Sequence, residues 1–196
     1  PKLDLGLVLA NDYPGKMRQV VEAACALVGA EVKHVGLPEN PRPDVRPDIA
    51  RADLVITLGR GAIEAMAMGR NVVVLGARGG DGFVDERSFF RFRQRNFSGR
   101  TEGIDFTPEQ LAEELLRYDP ELGELLRDLV RAENDEGKIV RQLESIYREA
   151  ANVGTASLVD IPLAREFAFL YRDYEELHER FRASRAELAA LYSSTS

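Results

Sequence analysis

Cysteine is nearly absent from this chain: 196 residues contain one, Cys25. A single thiol excludes an intramolecular disulfide framework and a cysteine-based metal cluster. Lying in a stretch of helical periodicity, it reads as a buried side chain. Tryptophan is missing, and there are two histidines, His34 and His178. Neither has a companion at metal-ligand spacing, so both read as structural and no metal is expected. No run of about 18 apolar residues occurs, which excludes a transmembrane helix. Positive charge is in deficit, with 26 Lys+Arg against 33 Asp+Glu and a net charge of −7. A nucleic-acid binder carries the opposite footprint, so no nucleic-acid partner is expected. Lys2 and Asp4 stand where a signal peptide would need apolar residues, so a cytoplasmic protein is expected. Its first residue, Pro1, suits either a lost initiator methionine or an excised piece. Two motifs are missing as well, the phosphate-binding Gly-x-x-x-x-Gly-Lys-Ser/Thr run and the nucleophile elbow.

What remains is ordinary globular composition, 44% hydrophobic and 30% charged. A chain of this length suits one domain with an appendage and buries roughly 70% of its unfolded surface. Its first half alternates short apolar runs with helical periodicity. Leu3–Ala10, Glu31–Leu37, Asp53–Thr57 and Asn71–Leu75 read as strands. Met17, Val20, Val21, Ala24, Leu27 and Val28 recur at helical spacing, and Gly29 supplies the stop. Pro38, Pro41, Pro43 and Pro47 restrict the next connection to one or two helical turns, with Pro47 near the start. Gly59-Arg60-Gly61 opens a helix that runs to Met68. Four such runs imply a doubly wound parallel sheet covered by helices on both faces. Ligands of these sheets bind beyond the carboxyl ends of the strands. That rule places Asn11–Lys16, Leu58–Gly61 and Gly76–Asp81 on one rim.

The second half is helical. Residues 76–103 are rich in glycine and arginine and poorly periodic, which predicts a long irregular loop. It reads either as a lid whose Arg91, Arg93, Arg95 and Arg100 attract an anion, or as a solvated loop around Phe89, Phe90 and Phe92. Thr107-Pro-Glu-Gln is a helix start with its own cap, and the helix runs to about Tyr118. Asp119-Pro120-Glu121 starts another. Helix continues from Val130 to Ala151, with Ile139, Val140, Leu143, Ile146 and Tyr147 as its apolar stripe. A last helix is predicted over 162–192, with Leu163, Phe167, Leu170, Tyr174, Leu177, Phe181, Leu188 and Leu191 spaced for a coiled neighbour or partner surface. The expected domains are therefore 1–151 and a helical extension over 152–196.

The segment from Asp53 to Gly76 holds the densest chemistry. A strand ends, glycines turn the chain, and a helix begins with its positive dipole end on the rim, an arrangement that suits a diphosphate. Arg60 supplies a cation for phosphate oxygens. Glu64, placed by the sequence in the first helical turn, offers a carboxylate to two ribose hydroxyls. A structural reading stays open beside this one, because glycine turns are common and the macrodipole favours an early Glu by itself. Asp12 resembles the phospho-acceptor of a receiver domain, but Thr57 stands where that fold places its third-strand Asp.

Residues Glu64-Ala-Met-Ala-Met-Gly69-Arg-Asn-Val-Val-Val74 resemble the nucleotide-sugar half of GT-B glycosyltransferases, whose pattern is Glu-Ala-Met-Ala-x-Gly before a Val-rich strand. The resemblance extends to Asn11–Ala24 and Thr107–Glu149 and covers about 1–150. It implies half of a GT-B fold, a single Rossmann-like domain, with Glu64 on the donor ribose. It also implies that Gly59, Arg60 and Gly61 face the pyrophosphate and that Lys16 touches the donor phosphates. The donor is a nucleotide-diphosphate sugar, a UDP-sugar by default, with no further cofactor. Two departures are visible. Ile56 stands eight positions before Glu64, where the retaining branch often has a second Glu, and the first loop lacks the Arg that often precedes the Lys. Arg60, or an arginine from the 78–100 loop, compensates in this reading, and within that loop Arg100 is the candidate for the donor. The family's acceptor site lies on an N-terminal domain for which this length has no room. The expectation is a donor-binding half that works beside an acceptor domain or partner chain, with no catalytic residue assigned. The alternative is a non-catalytic nucleotide-binding or assembly domain with a vestigial site, forming a homo-oligomer through the 160–192 helix.

Overall fold

The computed structural model describes residues 2–11, 13–152, 169, 171 and 172. Asp12 and most of the predicted 162–192 helix lie outside the described residues. The chain divides into two compact units, 1–138 and 139–196.

The first unit is an α/β domain. Its elements are β1 (Leu5–Leu9), α1 (Gly15–Val28), β2 (Glu31–Val35), α2 (Arg46–Arg51), β3 (Leu54–Thr57), α3 (Arg60–Ala67), β4 (Asn71–Gly76), β5 (Gly79–Phe83), α4 (Glu86–Arg93), α5 (Pro108–Leu115) and α6 (Pro120–Glu133). The strands order as β2-β1-β3-β4-β5. The first four are parallel, with Gly6 beside Leu54 and Val55 beside Val72. Every position of β3 and β4 is buried. This explains why both read as continuous apolar runs: a sheet covered on two faces leaves no strand position for water.

Alternate residues serve opposite faces. Leu7, Val55, Val72 and Val74 pack with Ala62, Met66, Phe89, Phe92 and Leu126 from α3, α4 and α6. Val8, Leu54, Ile56, Val73 and Leu75 pack with Met17, Val21, Leu111 and Leu115 from α1 and α5. Cys25 is buried on α1, as its periodicity predicts. Leu27 is not part of that stripe and is 60% exposed. Gly29 ends α1 in the left-handed conformation at φ 70°.

Three segments differ from the sequence reading. Inside the segment expected to be an irregular loop lie β5 and α4. β5 runs antiparallel to β4, so the sheet is mostly rather than wholly parallel. Its sequence, Gly-Gly-Asp-Gly-Phe, has no apolar alternation to announce a strand. Pairing with β4 demands one of those glycines: a Cβ on Gly80 would stand 2.4 Å from the Val74 carbonyl oxygen. The helix expected to pass from Val130 to Ala151 breaks at Asn134, and α7 (Glu136–Asn152) starts anew. Finally, α5 stops at Leu115, before the predicted Tyr118. Its Thr107 cap is as predicted: the side chain accepts the Gln110 amide while Gln110 reaches back to the Thr107 amide.

Candidate functional site

The chain leaves β1 through α1 on one face of the sheet and leaves β3 through α3 on the other. Beyond the carboxyl ends of these adjacent strands such a reversal opens a crevice. There the protein has a cavity of ≈ 680 Å³, bounded by the ends of β1 and β3, the segments after β2 and β4, and the start of α3.

Its floor is knit by small residues and side-chain bonds. Thr57 donates its hydroxyl to the Leu9 carbonyl at 2.7 Å, tying β3 to β1. Asn11 accepts the Leu37 amide at 2.8 Å, tying the exits of β1 and β2. Gly36, at φ 145°, is required there, because a Cβ would stand 1.9 Å from the Ala10 carbonyl oxygen. Gly61 lets α3 approach the floor, its would-be Cβ falling 2.4 Å from Thr57 Oγ1.

Glu64, Arg60 and Gly61 all line this cavity. Arg60 Nε donates to Glu64 Oε1 at 2.6 Å. The Arg60 side chain is 90% exposed and that of Glu64 37%. Glu64 lies in the second turn of α3, not the first, because the helix opens at Arg60. Gly59 does not line the cavity; at φ 56° and ψ −124° it makes the turn that caps α3. Its amide is spent on the Phe97 carbonyl at 2.9 Å, and the Gly61 and Ala62 amides bond Leu58 and Gly59 carbonyls. Helix α3 therefore offers its dipole to the rim more than a fan of free amides.

Lys16 stands apart, in an adjoining cavity of ≈ 330 Å³ with Arg78, Gly79 and Asp105. The two cavities share Ala77. Lys16 Nζ is 3.4 Å from Asp105 Oδ2, and both side chains are largely exposed. Arg100 is exposed and lines neither cavity. Two arginines of the expected lid are held elsewhere: Arg91 pairs with Glu102 at 3.0 Å and Arg93 with Glu133 at 3.4 Å.

The structure adds Arg42, which sequence reasoning passed over, and singles out Tyr13 and Arg78 within the rim segments Asn11–Lys16 and Gly76–Asp81. Arg42 and Tyr13 line the larger cavity and Arg78 the smaller. The signal for Arg78 is its place directly after a strand end, the same rule that marked Asn11 and Leu58. Tyr13 shares a polar pocket with His34, where its Oη and both ring nitrogens of His34 are buried without hydrogen-bond partners. Burial, aided by the Cys25 thiol nearby, pushes the Tyr13 phenol far above its ordinary value, so it stays a neutral donor. Burial, then Arg18, lowers His34 below its usual range; Glu22 and Glu39 oppose them. The Glu22 carboxylate, 3.5 Å from His34 Nε2, does not make a hydrogen bond to it.

Among the described residues, no cluster of His, Cys, Asp and Glu is placed to hold a metal ion. No helix there is long and apolar enough to cross a membrane. The arrangement provides a mostly apolar cavity with one carboxylate, beside a cationic notch. Comparisons of this chain with family models, with curated proteins and with solved structures give no match.

Proposed function

We propose that this chain is the donor-binding half of a glycosyltransferase that moves a sugar from a nucleotide-diphosphate sugar to a hydroxyl acceptor. One observation carries the reading: the cavity at the strand-order reversal, holding the Glu64 carboxylate, abuts the notch that holds Lys16 and Arg78. A nucleoside fills the larger space, with its ribose hydroxyls donating to Glu64. Its diphosphate crosses Ala77 toward the two cations. Arg60, almost fully exposed, is free to swing from Glu64 to a phosphate oxygen as the ribose takes its place. Positioning and charge stabilisation of the departing diphosphate are what such a site contributes to transfer. The acceptor, and any base that activates it, come from an N-terminal domain or a partner chain. UDP is the default nucleotide, and a cytoplasmic setting fits the reading.

A second reading has its own observation. Arg60 and Glu64 are closed on one another, and the Gly59 amide is spent on Phe97. That is the arrangement of a vestigial site in a non-catalytic nucleotide-binding or assembly domain.

Thermal unfolding with UDP, GDP or ADP, repeated on Glu64→Ala, separates the two. At a hundred times its dissociation constant a ligand adds about 2.7 kcal/mol of stability. At this size each kcal/mol moves the midpoint by roughly 2–4 °C. The donor reading expects a rise with one nucleotide that disappears in Glu64→Ala. No rise with any nucleotide defeats it.

A further inference from the structure

Helix α7 carries the largest continuous apolar stripe exposed among the described residues. Ile139, Val140, Leu143, Ile146 and Tyr147 lie on one face and are 42% to 69% exposed. A stripe of this kind marks an interaction surface. Its seam positions are Ile139, Leu143, Ile146 and Ala150, at spacings of four, three and four. After α7 the chain continues through Gly154 and Pro162 to Leu163, Phe167, Leu170 and Tyr174, again at four, three and four.

We propose that residues 163–174 of the same chain cover this stripe, as the second arm of an antiparallel helical hairpin. Run antiparallel, the two spacings superimpose without remainder. Ala150 meets Leu163, Ile146 meets Phe167, Leu143 meets Leu170, and Ile139 meets Tyr174. Alternation of four and three is the condition for knobs-into-holes packing. The side positions agree as well. Along one edge Val140 and Tyr147 fall opposite Tyr171 and Ala164, widening the apolar seam on both arms together. Along the other, Gln142 falls opposite Asp173 and Glu149 opposite Glu166, a polar edge left to water.

Three further observations favour this occupant. The second compact unit begins at Ile139, the first residue of the stripe, and includes the whole segment. Phe169, described as helical and 57% exposed, falls off the proposed seam. The Arg172 guanidinium stands 4.8 Å from its ring centroid. The third is geometric. A pairing of α7 with α7 from a second copy would span about 16 Å of helix at 1.5 Å per residue, too short for a stable coiled coil. A segment tethered through residues 153–162 meets α7 at an effective concentration on the order of millimolar. The homo-oligomer expected through 160–192 is then confined to what lies past Tyr174, namely Leu177, Phe181, Leu188 and Leu191.

The test uses the full chain and spares the seam. Gln142→Cys with Asp173→Cys places thiols across the polar edge, and native Cys25 is buried and does not compete. A short bismaleimide is expected to join them within one chain, at monomer mass and with a yield independent of protein concentration. Arg148→Cys with Asp173→Cys, on the far face of α7, is expected not to react in this way. Cross-linking between two chains overturns the proposal in favour of a second copy. Failure of Gln142→Cys with Asp173→Cys to link, or equal linking of the control pair, overturns it too. Hydrogen exchange of the unmodified chain gives an independent reading: slow α7 amides in dilute solution are expected, and exchange at the rate of a solvated helix overturns the hairpin.

Discussion

Gly61 shows how tightly single residues set the candidate site. A Cβ there would stand 2.4 Å from Thr57 Oγ1, and that hydroxyl is committed to the Leu9 carbonyl. In Gly61→Ala either the bridge between β1 and β3 breaks or α3 backs away from the floor. Overpacking of this kind costs about 1–3 kcal/mol. A thermal midpoint lowered by several degrees, with nucleotide affinity lowered in parallel, is the expected outcome. Asp105 is the counterpart on the notch side. Its pair with Lys16 is exposed and weak, so in the donor-binding reading proposed above a diphosphate displaces it readily. Calorimetric titration of Asp105→Asn is expected to show tighter binding of a nucleoside diphosphate and unchanged binding of the nucleoside. Equal tightening of both would mean that Asp105 acts on the larger cavity and not on the phosphates.

Among the elements, the helix termini were the most legible in the sequence, because capping chemistry acts over three or four residues. Thr107, Asp119 and Gly29 announce their helix ends in local residue types, and each does so in the structure. Helix α4 was hidden, although it too has a cap: Asp85 accepts the Arg87 and Ser88 amides at 2.9 and 2.7 Å. Burial by itself raises the Asp85 carboxyl, but the Ser88 hydrogen bonds and the Arg117 guanidinium outweigh it and hold the group below its usual range. A carboxyl lowered in the folded state adds stability that is present above its unfolded pKa. That stability is lost as pH falls through about 4 toward the folded value. Denaturant titration from pH 6 to pH 2.5 is expected to show a shallower fall for Asp85→Asn than for the parent chain. Asparagine keeps the cap and removes the titration. Strand β5 was hidden for a different reason. Its glycines are selected by close approach, Gly80 to β4, Gly79 to Gly103 and Ile104, and Gly82 to Glu114, a demand that leaves no periodic trace.

For the whole molecule, both apolar clusters are built, among the described residues, from residues at or before Val130. Both cavities of the candidate site draw on residues up to Asp105. A chain ending at Lys138 is therefore expected to keep a cooperative thermal transition and the nucleotide response of the full chain. Loss of that transition would show that the sheet domain depends on residues beyond its own core. The amino-acid sequence alone determined the α/β class, the four parallel strands, the main helices and the loops that gather at the carboxyl ends of the strands. Apolar runs, helical periodicity and caps operate between residues close in the chain. Only the tertiary structure decided which candidates meet. Residues 9, 36, 57 and 76 converge because the strand order reverses between β1 and β3, and no local pattern encodes strand order. That convergence gathers Arg60, Gly61 and Glu64 with Tyr13 and Arg42, and puts Lys16 next door with Arg78. It leaves Gly59 to turn the chain and Arg100 outside, because a side chain's place in a site is fixed by which strands lie side by side.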